Sequence, residues 1–245
     1  MPLASTQGFV LGCTPHNEQD RLVYLYTQDK GIIRAIAPGS MKAKNRFGSL
    51  FELFTEGEFH YYWQENREMI TISKGEIITS FFHTVSDPKN IFYFYLMTDI
   101  LLQFVPHNHQ DNRLYRLIQS LLTHASKGIE TRSILLYFLV WVLRIEGMMF
   151  DPGYCSNCHT KEMHQGWIRL DFRGLLCKQC KTTESIILQE PELHFIRWTE
   201  RHSPEELEKW KDSLNIPKLI RTFTRKIEFH GECTLKSSLY LPEFS

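Results

Sequence analysis

Two cysteine pairs carry the most specific chemistry in this chain: Cys155-Ser156-Asn157-Cys158 and Cys177-Lys178-Gln179-Cys180, with 18 residues between them. A C-x-x-C unit turns tightly enough to aim two thiolates at one point. Two such units joined by a connector that folds back as a hairpin complete a tetrahedral four-sulfur site, and this spacing falls in the window of zinc sites. A catalytic zinc keeps one coordination position open for water, and four thiolates leave none. The expected cofactor is therefore one structural Zn2+ held by Cys155, Cys158, Cys177 and Cys180. The alternative, redox dithiols, lacks a thioredoxin-like βαβ pattern around either pair. A zinc deaminase signature has its pieces in His16, Glu18, Pro152, Cys155 and Cys158. Pro152 is not adjacent to the first cysteine, however, and His16 lies far upstream in the strand-rich part. No phosphate-binding glycine loop, G-x-S-x-G elbow or H-E-x-x-H helix is present. With a closed metal site, the expectation is a protein that is not an enzyme.

The second chemical feature is a basic stretch. From Lys30 to Phe51 the chain carries Lys30, Arg34, Lys42, Lys44 and Arg46 and no acidic residue, with Asp29 and Glu52 as flanks. Cations on a connector beside Phe47 and Phe51 suit a phosphate backbone with a ring stacked on a base. A solvated charged loop with both rings in a core is the other reading. Arg169, Arg173, Lys178 and Lys181 sit in or beside the cysteine knuckle and extend a phosphate track or simply solubilise it. His107 and His109 follow Pro106, either as a second metal site or as exposed side chains. Cys13 and Cys233 are expected to pack as small apolar residues.

The elements that must position these groups fall into two textures. Residues 1–80 read as five strands rich in β-branched and aromatic residues: Gly8–Cys13, Leu22–Thr27, Ile32–Ala37, Glu58–Trp63 and Met69–Thr79, separated by turn formers. Five strands in this span point to an OB-fold barrel. From Asp87-Pro88 the pattern becomes helical through Val105. Further helices are expected over Asp111–Ala125, from a Thr131 cap to Gly147, from the Ser203-Pro204-Glu205-Glu206 capping signature, and over Pro217–Phe229 with closure at Gly231. The rings of 91–97 point all round a helix, which favours burial over a partner groove. The predicted fold is α+β in several parts: residues 1–80 an OB-fold nucleic-acid-binding domain, and 81–245 a helical domain with the zinc knuckle inserted at about 150–182.

Composition sets the limits. The 245 residues are 42% hydrophobic and 23% charged with a formal net charge of zero, so attraction to a polyanion must come from local clustering. The longest apolar run, Ile134 to Leu143, is about half of the roughly 20 residues a bilayer span needs, so no membrane association is expected. Val10-Leu11-Gly12-Cys13 imitates a lipoprotein cleavage site without its positive leader. A cytoplasmic location follows, where clustered cysteines bind metal more often than they pair.

The order of parts, barrel, basic loop, helices, four-cysteine knuckle and further helices, resembles the RecO family of bacterial recombination mediators nearly end to end. Glu18-Gln19-Asp20-Arg21 followed by Thr27-Gln28-Asp29-Lys30-Gly31 is similar to the family's opening, and Lys44-Asn45-Arg46-Phe47 to its K-S-R-F stretch. Gly147, Pro152, Cys155, Cys158, Gly174, Leu176, Cys177 and Cys180 follow its passage through the knuckle, and Leu235-Lys236-Ser237 its closing L-K-S. Asn45 replaces the usual Ser and Leu53 a usual Pro, and the tail around Glu228 to Cys233 is less basic than is common. The resemblance implies binding of single- and double-stranded DNA, annealing of complementary strands, and loading of RecA with RecR on DNA coated with single-stranded DNA-binding protein (SSB), in the bacterial cytoplasm at the nucleoid. It implies that Lys42, Lys44 and Arg46 meet phosphates, with Arg34 and Lys30 as helpers and Phe47 as a stacking ring. A zinc-containing OB-fold protein acting on RNA, or in transcription or translation, is the alternative, because barrel physics alone does not separate DNA from RNA.

Overall fold

The structure, a computed structural model, describes residues 3–63, 69–161, 163–171 and 173–244. Its chain forms two compact units, one of residues 1–91 with 105–122 and one of 92–104 with 123–245.

The first unit is built on a closed barrel of five strands: β1 (Leu3–Pro15), β2 (Arg21–Thr27), β3 (Gly31–Ala37), β4 (Glu56–Tyr62) and β5 (Ile70–Thr79), in the order β1-β2-β3-β5-β4. All neighbours are antiparallel except β3 and β5, which meet in parallel through Ala35↔Ile70 and Ile36↔Thr71. All five predicted strands form, most of them longer than expected. Apolar residues alternate inward as a half-buried strand requires, and Val10, Val23, Leu25, Ile33, Ala35, Phe59, Tyr61 and Ile72 meet in one core. The loop between β3 and β4 contributes Phe47, Leu50 and Phe51 to that core. Leu50 enters where Gly75 leaves room; a Cβ on Gly75 would stand 2.5 Å from its methyl carbon.

Helix α3 (Asn112–Ser126) shows why residues 105–122 group with the barrel rather than with the other helices. Tyr115 packs its ring 5.0 Å from that of Phe9, and its hydroxyl donates to the buried carboxylate of Glu56 at 3.2 Å. The Gln119 amide donates to the same carboxylate at 2.8 Å, so Glu56 is buried with its hydrogen bonds made, as burial of a charge demands. Burial, then the charge of Glu56, raises the Tyr115 phenol far above its ordinary value.

The second unit centres on α4 (Thr131–Ile145), buried along most of its length and packed against α6 (Ile216–Gly231). It also holds α2 (Ile91–Phe104, from Phe92 onward) and α5 (Glu190–Trp198). A single-turn helix α1 (Phe82–Val85) precedes them in the first unit. Several helix ends differ from expectation. Asp87 and Pro88 form a turn before α2, whose cap is Asn90, and Glu130 rather than Thr131 flanks α4. The Ser203 signature begins a 3-10 helix, Pro204–Trp210, without a side-chain cap bond. The reciprocal capping box lies instead at Gln189 and Glu192, at the start of α5, a helix not anticipated. The left-handed residue that ends α6 is Glu232, with φ 48°, and not Gly231. Within 91–97, Phe94, Leu96 and Met97 are buried as expected, whereas Phe92 and Tyr95 are exposed, Phe92 stacking on Tyr240 at 5.4 Å.

Candidate metal centre and nucleic-acid interface

The four cysteine sulfurs of the knuckle lie within 4.8 Å of one another, with Cys158 and Cys177 at 3.6 Å. Tetrahedral thiolates at about 2.3 Å from a zinc stand about 3.8 Å apart, so the cluster has the size the ion needs. Local backbone bonds set this geometry. In the first knuckle the His159 amide donates to the Cys155 carbonyl at 2.8 Å, and His159 takes a left-handed φ of 60°. In the second, the amides of Cys180 and Lys181 both donate to the Cys177 carbonyl, at 3.1 and 3.0 Å. The connector does fold back: Trp167 and Leu176 exchange two backbone bonds, and β6 (Gly166–Ile168) pairs with β7 (Ile186–Leu188) beyond the second knuckle. Trp167 and Leu176 pack with the buried Cys155 and Cys177.

Electrostatics at the cluster favours thiolates at the first pair. The hydroxyl and amide of Thr160 lead in pulling the exposed Cys158 thiol down to about 6. Burial works to raise Cys155, yet the amides of Cys158, Cys177 and Asn157 bring it below its ordinary value. Cys180 gains from the Asn157 side chain, but the neighbouring cysteines and burial outweigh it and push the thiol up to about 11. Four thiols crowded on one another cannot all ionise without a cation among them, and a divalent ion removes that conflict. Among the described residues this is the one cluster of metal-ligating side chains, and all four members are cysteines. His107 and His109 are exposed and lie outside it.

The cationic residues divide into three groups. Lys42, Lys44 and Arg46 are exposed on the loop between β3 and β4, whose conformation is held from below. Asn45 accepts from the amides of Phe47 and Gly48, both at 3.0 Å, and donates to the Lys42 carbonyl at 3.2 Å. This is the Asx turn that short polar side chains make, and Asn serves it as well as the Ser of the related stretch. Phe47 itself is a correction: it is 5% exposed, its ring 4.9 Å from that of Phe51 in the barrel core, so it is not placed to stack on a base. Its visible partner is Arg46, whose guanidinium lies 4.8 Å above the ring.

Lys30 and Arg34 border a separate groove on the same unit, half-buried and exposed respectively. At the knuckle, Arg169 is engaged by Asp171 and, at 3.8 Å, by Glu184, so its charge is largely answered within the protein. Lys181 lies 5.1 Å above the Trp167 ring, and Arg173 and Lys178 are exposed. Four buried charged residues were not anticipated among the described residues: the clamped Glu56, Glu192, Glu243, and Lys226, which is fully buried on α6 with its ammonium 3.4 Å from the Arg169 carbonyl. The apolar positions of α6, Ile216, Leu219, Ile220, Phe223 and Ile227, pass beside Lys226 and give no sign of its burial.

A five-stranded barrel with an anchored cationic loop, in one chain with a helical unit that carries a four-sulfur knuckle, defines a class of OB-like proteins with a cysteine cluster sized for a metal. Comparison with known families narrows the class. The N-terminal model of recombination protein O matches residues 1–81 and the C-terminal model of the same protein matches 85–238. The chain belongs to the RecO family. It is similar to the DNA repair protein RecO of Clostridium kluyveri, with 23% identity over 239 residues covering 96% of this chain and 88% of the relative. The RecO of Clostridium novyi is 25% identical over 184 residues, 75% of this chain and 71% of the relative, and that of Halalkalibacterium halodurans 24% identical over 174 residues, 71% and 67%. The names of the family and of these relatives support a role in DNA repair and recombination. Among the described residues no helix is long and apolar enough to cross a membrane.

Proposed function

We propose that this protein binds single- and double-stranded DNA, anneals complementary strands, and with RecR helps to load RecA onto SSB-coated single strands in the bacterial cytoplasm at the nucleoid. The observation that supports this best is the loop of Lys42, Lys44 and Arg46, whose charges face solvent while Phe47, Leu50 and Phe51 fix its base in the barrel core. Annealing brings two polyanions together, and cations that neutralise phosphates lower that barrier. The bases must stay available for pairing, so contacts to the backbone serve better than base-reading contacts along the whole strand. In this reading Lys42, Lys44 and Arg46 are the main phosphate contacts, Lys30 and Arg34 extend them, and Arg173, Lys178 and Lys181 continue the track at the knuckle. Arg169 contributes least, because its carboxylate partners would have to be displaced.

The same reading places one structural Zn2+ on Cys155, Cys158, Cys177 and Cys180. Bound there, the ion would supply charge balance for the thiolates and a cross-link for the hairpin. Annealing of complementary labelled strands, both coated with the cognate SSB, tests the function. Faster annealing that fades with rising salt is expected. A folded, zinc-loaded protein that gives no acceleration at any salt refutes the mediator reading.

A further inference from the structure

We propose that the groove bordered by Lys30, Arg34 and Trp63 on the barrel unit takes a single unstacked nucleobase from a bound single strand. This rests on the DNA-binding reading and adds to it a base pocket separate from the phosphate-contacting loop.

The groove exists because of how β3 is bordered. Strand β5 pairs with β3 only at Ala35 and Ile36, so the first half of β3 has no β5 neighbour. The segment around His107 lies there instead: Ile32 and His107 form a parallel bridge, and the Asn108 amide donates to the Ile32 carbonyl at 3.0 Å. This approach requires Gly31, with φ 63°, since a Cβ there would stand 2.0 Å from the His109 carbonyl oxygen. The result is a cavity of about 620 Å³ whose apolar lining residues include Ile32, Ile33 and Ile70. That volume lies within the range of about 300–1,000 Å³ seen for small-ligand sites.

Its rim has the three chemistries a nucleotide presents. Trp63, at the end of β4, lines the groove and is 41% exposed; it is the one tryptophan among the exposed large apolar residues. An indole offered to solvent beside cations is the usual platform for a base, since every base has a π-face. Lys30 and Arg34 supply positive charge for the phosphates on either side of that base. Asn108 and Gln110 bring side-chain amides, which both donate and accept and so meet the edge of any of the four bases. Asp29 is the acidic member of the wall, and its carboxylate accepts a hydrogen bond from the Thr6 hydroxyl. Among the described lining residues, Lys30 and Arg34 stand beside one carboxylate, that of Asp29. Sequence-independent amides with one ring give a pocket that holds one base and leaves the rest of the strand free to pair.

The experiment uses the full chain with an oligo-dT strand and an abasic strand of the same length, followed by anisotropy and by tryptophan fluorescence. Oligo-dT is expected to quench the fluorescence and bind more tightly; the abasic strand is expected to bind without quenching. Trp63→Leu should abolish the quenching and weaken oligo-dT by roughly tenfold, while leaving the abasic affinity unchanged, and Trp63→Tyr should recover most of the loss. Equal quenching by both strands, or a folded Trp63→Leu protein that binds oligo-dT like the wild type, overturns the pocket and leaves the phosphate-contact reading standing. Failure to bind either strand overturns the DNA-binding reading and the pocket with it.

Discussion

Replacement of Lys42, Lys44 and Arg46 together by Ala tests the phosphate-contact assignment with a magnitude that the structure sets. All three side chains are exposed, and the loop's anchors, Phe47, Leu50 and Phe51, are untouched, as is the Asn45 turn. The one packing contact removed is Arg46 over Phe47, worth about 0.5–1 kcal/mol at an exposed site. Folding should therefore survive, with a fall in Tm of only a few degrees. Each phosphate contact to a single strand contributes about 0.7 to the slope of log K against log salt. Three lost contacts flatten the slope by about 2, so the penalty at 50 mM salt should exceed that at 200 mM by roughly 18-fold. The loss should also be similar for strands of different sequence, because phosphates carry no sequence. Anisotropy titrations at four salt concentrations measure both quantities. A folded triple variant whose slope equals that of the wild type would show that these cations do not meet DNA, whatever its affinity.

Two further outcomes follow from the second unit. Chelation of bound metal, or Cys155→Ser, should raise amide exchange throughout residues 150–188, because the paired knuckles and the Trp167–Leu176 bonds share one small core; unchanged exchange after verified zinc loss would refute the structural role. Lys226 is held down to about 8 by burial and then by the charge of Arg173, against an ordinary value of 10.5. Between those values the unfolded chain holds the proton and the folded chain does not, so this residue makes stability rise with pH across about 8 to 10.5, by at most about 1.4 kcal/mol per pH unit. Lys226→Met should be more stable than the wild type at pH 7, with the difference shrinking across that window; denaturant melts at three pH values check it, and a constant difference would refute it.

The barrel was legible because its signal is local: alternating β-branched and aromatic residues, broken by Asp29-Lys30-Gly31 and similar turns, name strands without reference to partners. The knuckle was legible for the same reason, since C-x-x-C geometry is decided within four residues. What escaped depends on contacts distant in sequence. Phe47 beside three cations reads as a stacking ring until Leu50 and Phe51 are seen to enter the same core. Helix α3 has the pattern of any amphipathic helix, and contacts distant in sequence, Tyr115 on Phe9 and both Tyr115 and Gln119 on the Glu56 carboxylate, join it to the barrel. Helix α5 was overlooked because its capping box uses Gln189 in place of Ser or Thr.

The correction at Phe47 changes the physics proposed for annealing. A flexible basic connector would lose conformational entropy on meeting a strand, and a stacked ring would hold a base away from its complement. Instead the base of the loop is anchored by buried aromatics and the Asn45 turn, so under the proposed reading less backbone entropy is lost on meeting phosphates than by a free arm. Base contact, if confined to the groove at Trp63, then touches one base of the bound stretch while its neighbours stay open. On the two proposals together, phosphate contact and base contact fall on different parts of the barrel unit. This makes the two separable by mutation: loss of the loop charges should change the salt slope and spare the fluorescence quenching at saturation, and loss of Trp63 should do the reverse.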